Sequence, residues 1–496
     1  MSNATPQPIE SPSDQPAVER SLGTLAPLRL LSMPAYGGLL VYVGPGVLWA
    51  ALAQGSGELI WWPYLTAKYG TAFLGLLIFA TLLQYWYNLE ICRYTVLTGE
   101  TPMTGFTRMS RTFAWVAWTG VFIENIWFGA YAVAGGTALA ALTHFPAGWS
   151  PKGQSLFWGY STVAVYVLVL ALGTVVYNWV ERISIAVVII TLSGIIFAVF
   201  QEPVLAVSGA FFSALVPSVA RAVEVPNWDP ADLKTLAVSI AFAGAGGFGQ
   251  LFIAYWMRDK GIGMGQRVGR VTSPLTGKSE AIPATGFYCA DTEENKRNYR
   301  GWVRYISIEN GIGVFLNFLT TVIMCWLAFA LLLPKGIVPK GWEIAVVQSA
   351  FFEVAWGEIG RALFLLVAAA FLCDAWLQGT DGFSRVQADF FYSNFARARR
   401  YHYRTWYYVF VVIFTLVTVV TMGLAPPGEL ITIRGVISFL AMAIIGPALI
   451  YMNYFMLPKV FPQWANPHPI TRALMWLCSV TYVVMAIGFI VITIRG

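Results

Sequence analysis

Eleven apolar runs, each near the length that crosses a bilayer, set the limits on what this 496-residue chain can fold into. A helix needs about 20 apolar residues to cross roughly 30 Å of hydrocarbon. The first run extends from Gly38 to about Ala67. The others occupy 72–97, 113–142, 155–176, 180–200, 235–257, 303–333, 359–380, 405–424, 430–456 and 472–494. Only 11% of the residues are charged and 57% are hydrophobic, where soluble domains carry about 25% charged residues. The expected fold class is an all-α polytopic membrane protein.

Loop charge orients the runs, because cytoplasmic loops hold the excess of Lys and Arg. Connections after the even-numbered spans carry Arg93, Arg108 and Arg111, then Arg182, then the stretch from Arg258 to Arg304. Arg397, Arg399, Arg400 and Arg404 follow, and then Lys459 and Arg472. The opposite loops hold little beyond Lys68, Lys152, Arg221, Lys234, Lys335 and Lys340. This alternation predicts a cytoplasmic N-terminus and an external C-terminus, in the inner membrane of a bacterium. The net charge of +6 therefore reports topology and not nucleic-acid binding. Residues 1–36, rich in Pro, Ser and Gln, read as a disordered cytoplasmic tail. Five scattered cysteines (Cys92, Cys289, Cys325, Cys373, Cys478) form no CxxC pair and read as buried free thiols.

Two runs are broken in the middle. The first contains Ala53-Gln54-Gly55-Ser56-Gly57-Glu58, and the sixth contains Gly244-Ala245-Gly246-Gly247-Phe248-Gly249-Gln250. Each interior glycine costs a helix roughly 1 kcal/mol against alanine. Loosened backbone inside a membrane is tolerated only where protein or a watery cavity meets its amides. Two such breaks, one heading each set of five spans, predict two inverted repeats, 37–200 and 235–458, in the LeuT-like arrangement. An external connection, 201–234, would join them, a solvated cytoplasmic loop would fill 258–302, and 459–496 would add one further span. Close helix packing is the competing reading of either glycine cluster alone.

The stretch Tyr42-Val43-Gly44-Pro45-Gly46-Val47-Leu48 resembles the opening of the first span in the NRAMP divalent-metal transporters. Asn317, Leu363-Phe364 followed by Gly379-Thr380 and Val386, and Val436 with Ser438 extend the resemblance over roughly 40–455. The family's Asp-Pro-Gly-Asn signature reads here as Gly55-Ser56-Gly57-Glu58. Its Met-Pro-His signature gives way to Gly247-Phe248-Gly249-Gln250, and the acids of its third-span proton route to Tyr131 and Ala134. What the resemblance implies is a divergent relative, nearer the Mg²⁺-linked branch than the carriers of softer metals, without that proton route.

Charge inside a span marks a functional site by default. Glu58 is the leading metal ligand, with the Ala53 and Gln54 carbonyls completing an oxygen shell; a structural ion pair with Arg434 is the competing reading. Glu124 and Asn125 lie side by side in the third span, about 100° apart on a helix. One of them would face a cavity and the other would pack. Gln84, Asn88 and Glu90 read as polar glue in the second span. Asp374, Gln378 and Asp381 share one face of the eighth span, with Asp374 as a relay and Asp381 at the cytoplasmic mouth. Glu309, Asn310 and Asn317 are placed similarly in the seventh.

A divalent-cation transporter, Mg²⁺ before Mn²⁺ or Fe²⁺, is thus the first functional reading. A carrier of a small anionic or zwitterionic solute, held by half-helix amides, is the alternative. Neither an enzyme nor a cofactor is expected: His144, His402 and His468 lie at loops or ends, and no nucleophile pairs with a base. The expected partners are the transported ion or solute and the lipid bilayer.

Overall fold

Hydrocarbon offers no water to a peptide group, so each apolar run closes its own hydrogen bonds as a helix. The computed structural model describes residues 19–39, 44–218, 221, 225, 227–339 and 346–495; the side chains of residues 56–58, 354 and 355 are outside the described residues. The first run folds as α1 (Pro45–Ala53), a π-helical stretch (Gln54–Trp61) and α2 (Trp62–Tyr69). Next come α3 (Leu74–Thr98) and the short α4 (Pro102–Met109). The third run splits into α5 (Arg111–Ile126) and α6 (Gly129–Thr143), and α7 (Pro151–Leu172) and α8 (Val176–Val199) complete the first half. The short helices α9 (Glu202–Ala206) and α10 (Ser208–Ala214) follow.

The sixth run opens the second half as α11 (Leu233–Ala241), leaves the helical path through residues 242–246, makes a 3₁₀ turn (Gly247–Leu251) and resumes as α12 (Phe252–Lys260). It continues with α13 (Glu293–Leu331), α14 (Ala350–Asn394), α15 (Tyr403–Thr421) and α16 (Pro427–Tyr451), and α17 (Pro469–Arg495) comes last. By length and composition, eight helical spans among the described residues suffice to cross a membrane. The other expected crossings are α3 and the two runs with glycine clusters.

Helix ends follow local chemistry. Ser110, Ser150 and Thr292 accept backbone N–H bonds at the starts of α5, α7 and α13, as N-caps do. Inside the bundle, α1 crosses α13 at Gly46 and Gly313. A methyl on Gly313 would lie 2.5 Å from the Gly46 carbonyl oxygen, so only small residues allow this approach. At Gly357, with φ +55°, α14 is kinked.

Two expectations need correction. Residues 19–36 of the expected disordered tail are ordered, while 1–18 lie outside the described residues. β1 (Glu19–Arg20) pairs antiparallel with β2 (Leu28–Leu30), and β2 pairs in parallel with β3 (Phe287–Tyr288). Arg108 of α4 donates to the carbonyls of Leu22 (2.8 Å) and Ala26 (3.0 Å). Polar composition concealed Leu22, Leu28 and Met33, which are buried. Nor is 258–302 simply a solvated loop. Its ends belong to α12 and α13, and Met264, Val271, Phe287 and Tyr288 between them are buried. All five cysteines are buried; burial pushes the Cys289 thiol up to about 12, which makes it inert at neutral pH.

If the α1–α13 contact is as close as described, Gly313→Val forces backbone apart and destabilises the protein by about 1–3 kcal/mol. Gly209→Ala, where a Cβ meets nothing among the described residues within 4 Å, should leave thermal unfolding in detergent unchanged. Equal melting of the two variants would contradict this packing.

Candidate functional site

Glycine is required where the sixth run breaks. Gly246 and Gly247 take φ of +69° and +51°, a region that side chains other than glycine's rarely enter. A Cβ on Gly247 would also strike the Ser438 backbone and the Glu124 carboxylate. This backbone excursion bares the Phe248 amide, which donates to Glu124 Oε2 at 3.0 Å. Glu124 Oε1 accepts from Ser438 Oγ at 2.8 Å and pairs with Arg434 Nη2 at 3.1 Å. Glu124 comes from α5 and Arg434 from α16, and both are buried. The guanidinium also donates to Tyr131 Oη at 2.7 Å and to the Ala245 carbonyl at 3.5 Å. It lies 4.6 Å from the Phe128 ring centre and 4.7 Å from that of Phe242. An arginine over aromatic faces keeps favourable electrostatics in a dry site.

The competing reading of an ion pair between Arg434 and Glu58 rests on a side chain outside the described residues, whereas Arg434 pairs with Glu124. The reason is depth and direction: the bend after Ile126, where α5 gives way to α6, aims Glu124 at the interruption of the sixth run. Asn125, its neighbour, is also buried, and its Oδ1 has no hydrogen-bond partner among the described residues.

A chain of amides runs beside this pair. Trp49 Nε1 donates to Gln250 Oε1 at 2.8 Å, the Gln250 amide donates to Gln84 Oε1, and Gln84 Nε2 donates to Tyr482 Oη at 2.6 Å. It joins the first, sixth, second and last spans. Gln84 serves as interhelical glue, the role its helical spacing implied.

The first run differs from the expected unwound break. Gln54–Trp61 stays helical but widens to the π form, a geometry often found at functional sites. Gly55 lets it press on α14, since a Cβ there would lie 2.6 Å from Ala375 Cβ. The side chains of Ser56, Gly57 and Glu58 are outside the described residues. Gln54 Nε2 donates to Thr320 Oγ1 at 2.8 Å, and Asn317 Nδ2 to the Ala243 carbonyl at 3.1 Å. Asn317 and Thr320 share a face of α13, so this helix is fastened to both glycine clusters' runs. Gln54 Oε1 and Asn317 Oδ1 are buried and have no hydrogen-bond partner among the described residues. Among the described residues, no three His, Cys, Asp or Glu side chains gather to hold a metal.

Asp374 of α14 accepts from Ser184 Oγ (3.1 Å) and Gln378 Nε2 (2.7 Å). Asp381 is fully buried, not at an open mouth. It pairs with Arg385 at 2.8 Å, and Arg385 pairs with Asp259 of α12 at 2.5 Å. The i, i+4 spacing of Asp381 and Arg385 was a legible signal; Asp259, far off in sequence, carried none. Glu309 accepts from the Gly44 and Gly46 amides (2.8 and 3.0 Å), tethering the start of α1. At the other end, Lys68 after the first run pairs with Asp232 before the sixth at 2.6 Å.

Removing one partner of a buried pair leaves an uncompensated charge and costs about 3–5 kcal/mol. Glu124→Gln and Arg434→Met should each destabilise the protein by that order. The double variant should lose clearly less than the sum, giving a coupling energy above about 1 kcal/mol. Denaturant unfolding in detergent measures the cycle, and additive losses would count against a direct pair.

No family model matches the chain. An uncharacterized protein of Pasteurella multocida is 25% identical over 202 residues, or 40% of this chain and 46% of that one, so the chain spans about half the length of that relative. A crystal structure of the Eremococcus coleocola manganese transporter superposes with a TM-score of 0.65 at 13% identity, over 90% of this chain and 85% of that one. MhsT in complex with L-phenylalanine superposes with a TM-score of 0.52 at 15% identity, over 93% and 99%. At these identities the likeness is one of architecture: the chain has the LeuT-like fold, shared with a manganese transporter.

Proposed function

We propose that the chain is a secondary membrane transporter of NRAMP-related type, carrying a divalent cation, Mg²⁺ before Mn²⁺ or Fe²⁺, through a midplane site between the first and sixth spans. The observation that supports this most is the pair of buried amide oxygens, Gln54 Oε1 and Asn317 Oδ1, that lack hydrogen-bond partners among the described residues. They sit on the two side chains that fasten α13 to both runs with glycine clusters. Hard cations take oxygen ligands, and Mg²⁺ keeps several waters and needs few from the protein. Softer metals favour sulfur and imidazole, whereas the turn after the sixth-span break offers Phe248, Gln250 and Leu251. In this reading Glu58 supplies the negative charge, and the backbone from Ala53 to Gly57 and from Gly244 to Gly249 lines the route.

An anionic or zwitterionic solute is the second cargo class. The Phe248 amide, which such a solute would use, already donates to Glu124, and Arg434 is neutralised by the same carboxylate. Those two contacts favour the cation. The protein would sit in a bacterial inner membrane with its N-terminus cytoplasmic and its C-terminus outside, crossing eleven times.

A ligand that binds only the folded form at 100 times its Kd adds about 2.7 kcal/mol of stability. Mg²⁺ should therefore raise the melting temperature of the purified protein, and Glu58→Gln and Gln54→Leu should abolish that rise. Melting curves indifferent to Mg²⁺, Mn²⁺ and Ca²⁺, or a rise retained in both variants, would overturn the cation reading.

A further inference from the structure

Among the described residues, one buried carboxylate meets neither an ion-pair partner nor a backbone N–H. The other buried Asp and Glu side chains among the described residues each meet an arginine or lysine, apart from Glu309, which accepts two backbone N–H bonds. Asp374 is fully buried and touches only neutral donors, Ser184 Oγ of α8 and Gln378 Nε2 one turn along α14. An ionised carboxylate held this way in a dry interior is costly, and taking up a proton relieves the cost.

The neutral acid then needs an acceptor for its O–H, and one is at hand. Gln378 is itself fully buried, and its Oε1 has no hydrogen-bond partner among the described residues. That oxygen belongs to the amide group whose nitrogen already touches Asp374 Oδ2 at 2.7 Å. Half a turn of the amide exchanges nitrogen for oxygen. Gln378 can therefore donate to the carboxylate and accept from the carboxylic acid, so both protonation states are satisfied in place. The titratable groups facing Asp374 are Tyr166 on α7 and Cys373 on its own helix, both neutral at ordinary pH. One turn before Ser184, Glu181 is held by Lys260 at 2.7 Å. Two turns beyond Asp374, Asp381 is closed by Arg385. The side chain of Glu58, on the π-helical stretch, is outside the described residues.

The next residue along α14, Ala375, is the one that Gly55 presses against. A change of charge at Asp374 is therefore delivered beside the first run, where the cargo route is placed.

We propose that Asp374 is a reversible proton-binding site, through which this carrier takes up and releases a proton as it exchanges between its two facing states. The proton comes from water on one side, forms the Asp374 O–H bond directed at Gln378 Oε1, and leaves to water on the other side, after which the carboxylate again accepts from Gln378 Nε2. The coupling role rests on the transporter reading above; the proton site itself does not.

Infrared difference spectra of the purified, membrane-reconstituted protein between alkaline and acid pH test the site directly. A neutral carboxylic-acid carbonyl band should appear on the acid side in wild type and be absent in Asp374→Asn. It should persist, displaced in frequency, in Asp374→Glu and in Gln378→Leu. Should Asp374→Asn not fold, the displacement in Gln378→Leu carries the assignment. The same acid band in wild type and folded Asp374→Asn, or no displacement in Gln378→Leu, overturns the proposal. So does a band that responds to Na⁺ at constant pH and not to pH. In proteoliposomes with an internal pH dye, a Mg²⁺ gradient should drive proton movement that falls at least tenfold in Asp374→Asn. If no form moves Mg²⁺, the cargo reading fails while the infrared result still decides the proton site.

Discussion

The contact between Glu124 and Arg434 is the constraint on which the interior depends. A buried ion pair is a poor source of net stability, because desolving two charges offsets most of their attraction. Its value here is positional. The carboxylate caps the amide that the interrupted sixth run exposes, and the guanidinium touches the carbonyl on the other side of the same interruption. With Tyr131 and Ser438 as further partners, both ends of an irregular backbone stretch are satisfied by one pair of side chains. An open stretch of main chain in the membrane is otherwise intolerable.

Charge is balanced locally through most of the molecule. At one end of the bundle, Arg385 joins Asp381 and Asp259; at the other, Lys68 joins Asp232 and Asp229. These clusters tie the two interrupted runs to their neighbours above and below the middle. Between them lie Asp374 and neutral amides, among them Gln54, Asn125, Asn317 and Gln378, whose side-chain oxygens have no hydrogen-bond partner among the described residues. On the proposed reading, this contrast leaves the middle of the bundle for cargo and proton, while the ends hold the helices together.

Much of the fold was legible because hydrocarbon permits so few solutions. Apolar length gave the helices, and glycine clusters marked the sixth-span interruption at Gly246 and Gly247. The first cluster was read as a break; the structure widens the helix instead, since Gly55 is needed for the close approach to Ala375 as much as for flexibility. Pairings were less legible. Arg434 and Glu124 are 310 residues apart, and nothing in local spacing joins them; the sequence suggested only Glu58 as a partner for Arg434, from its matching depth. The strand that orders the N-terminal segment is supplied by Phe287 and Tyr288, a partner no local pattern could name.

Hydrogen exchange at the sixth-run interruption tests the central claim most directly. If Glu124 and Arg434 hold that backbone, the peptide spanning 242–251 is protected in wild type. It loses protection selectively in Glu124→Gln, while α7 and α17 exchange as before. Unchanged protection of this peptide in a folded Glu124→Gln protein would contradict the account.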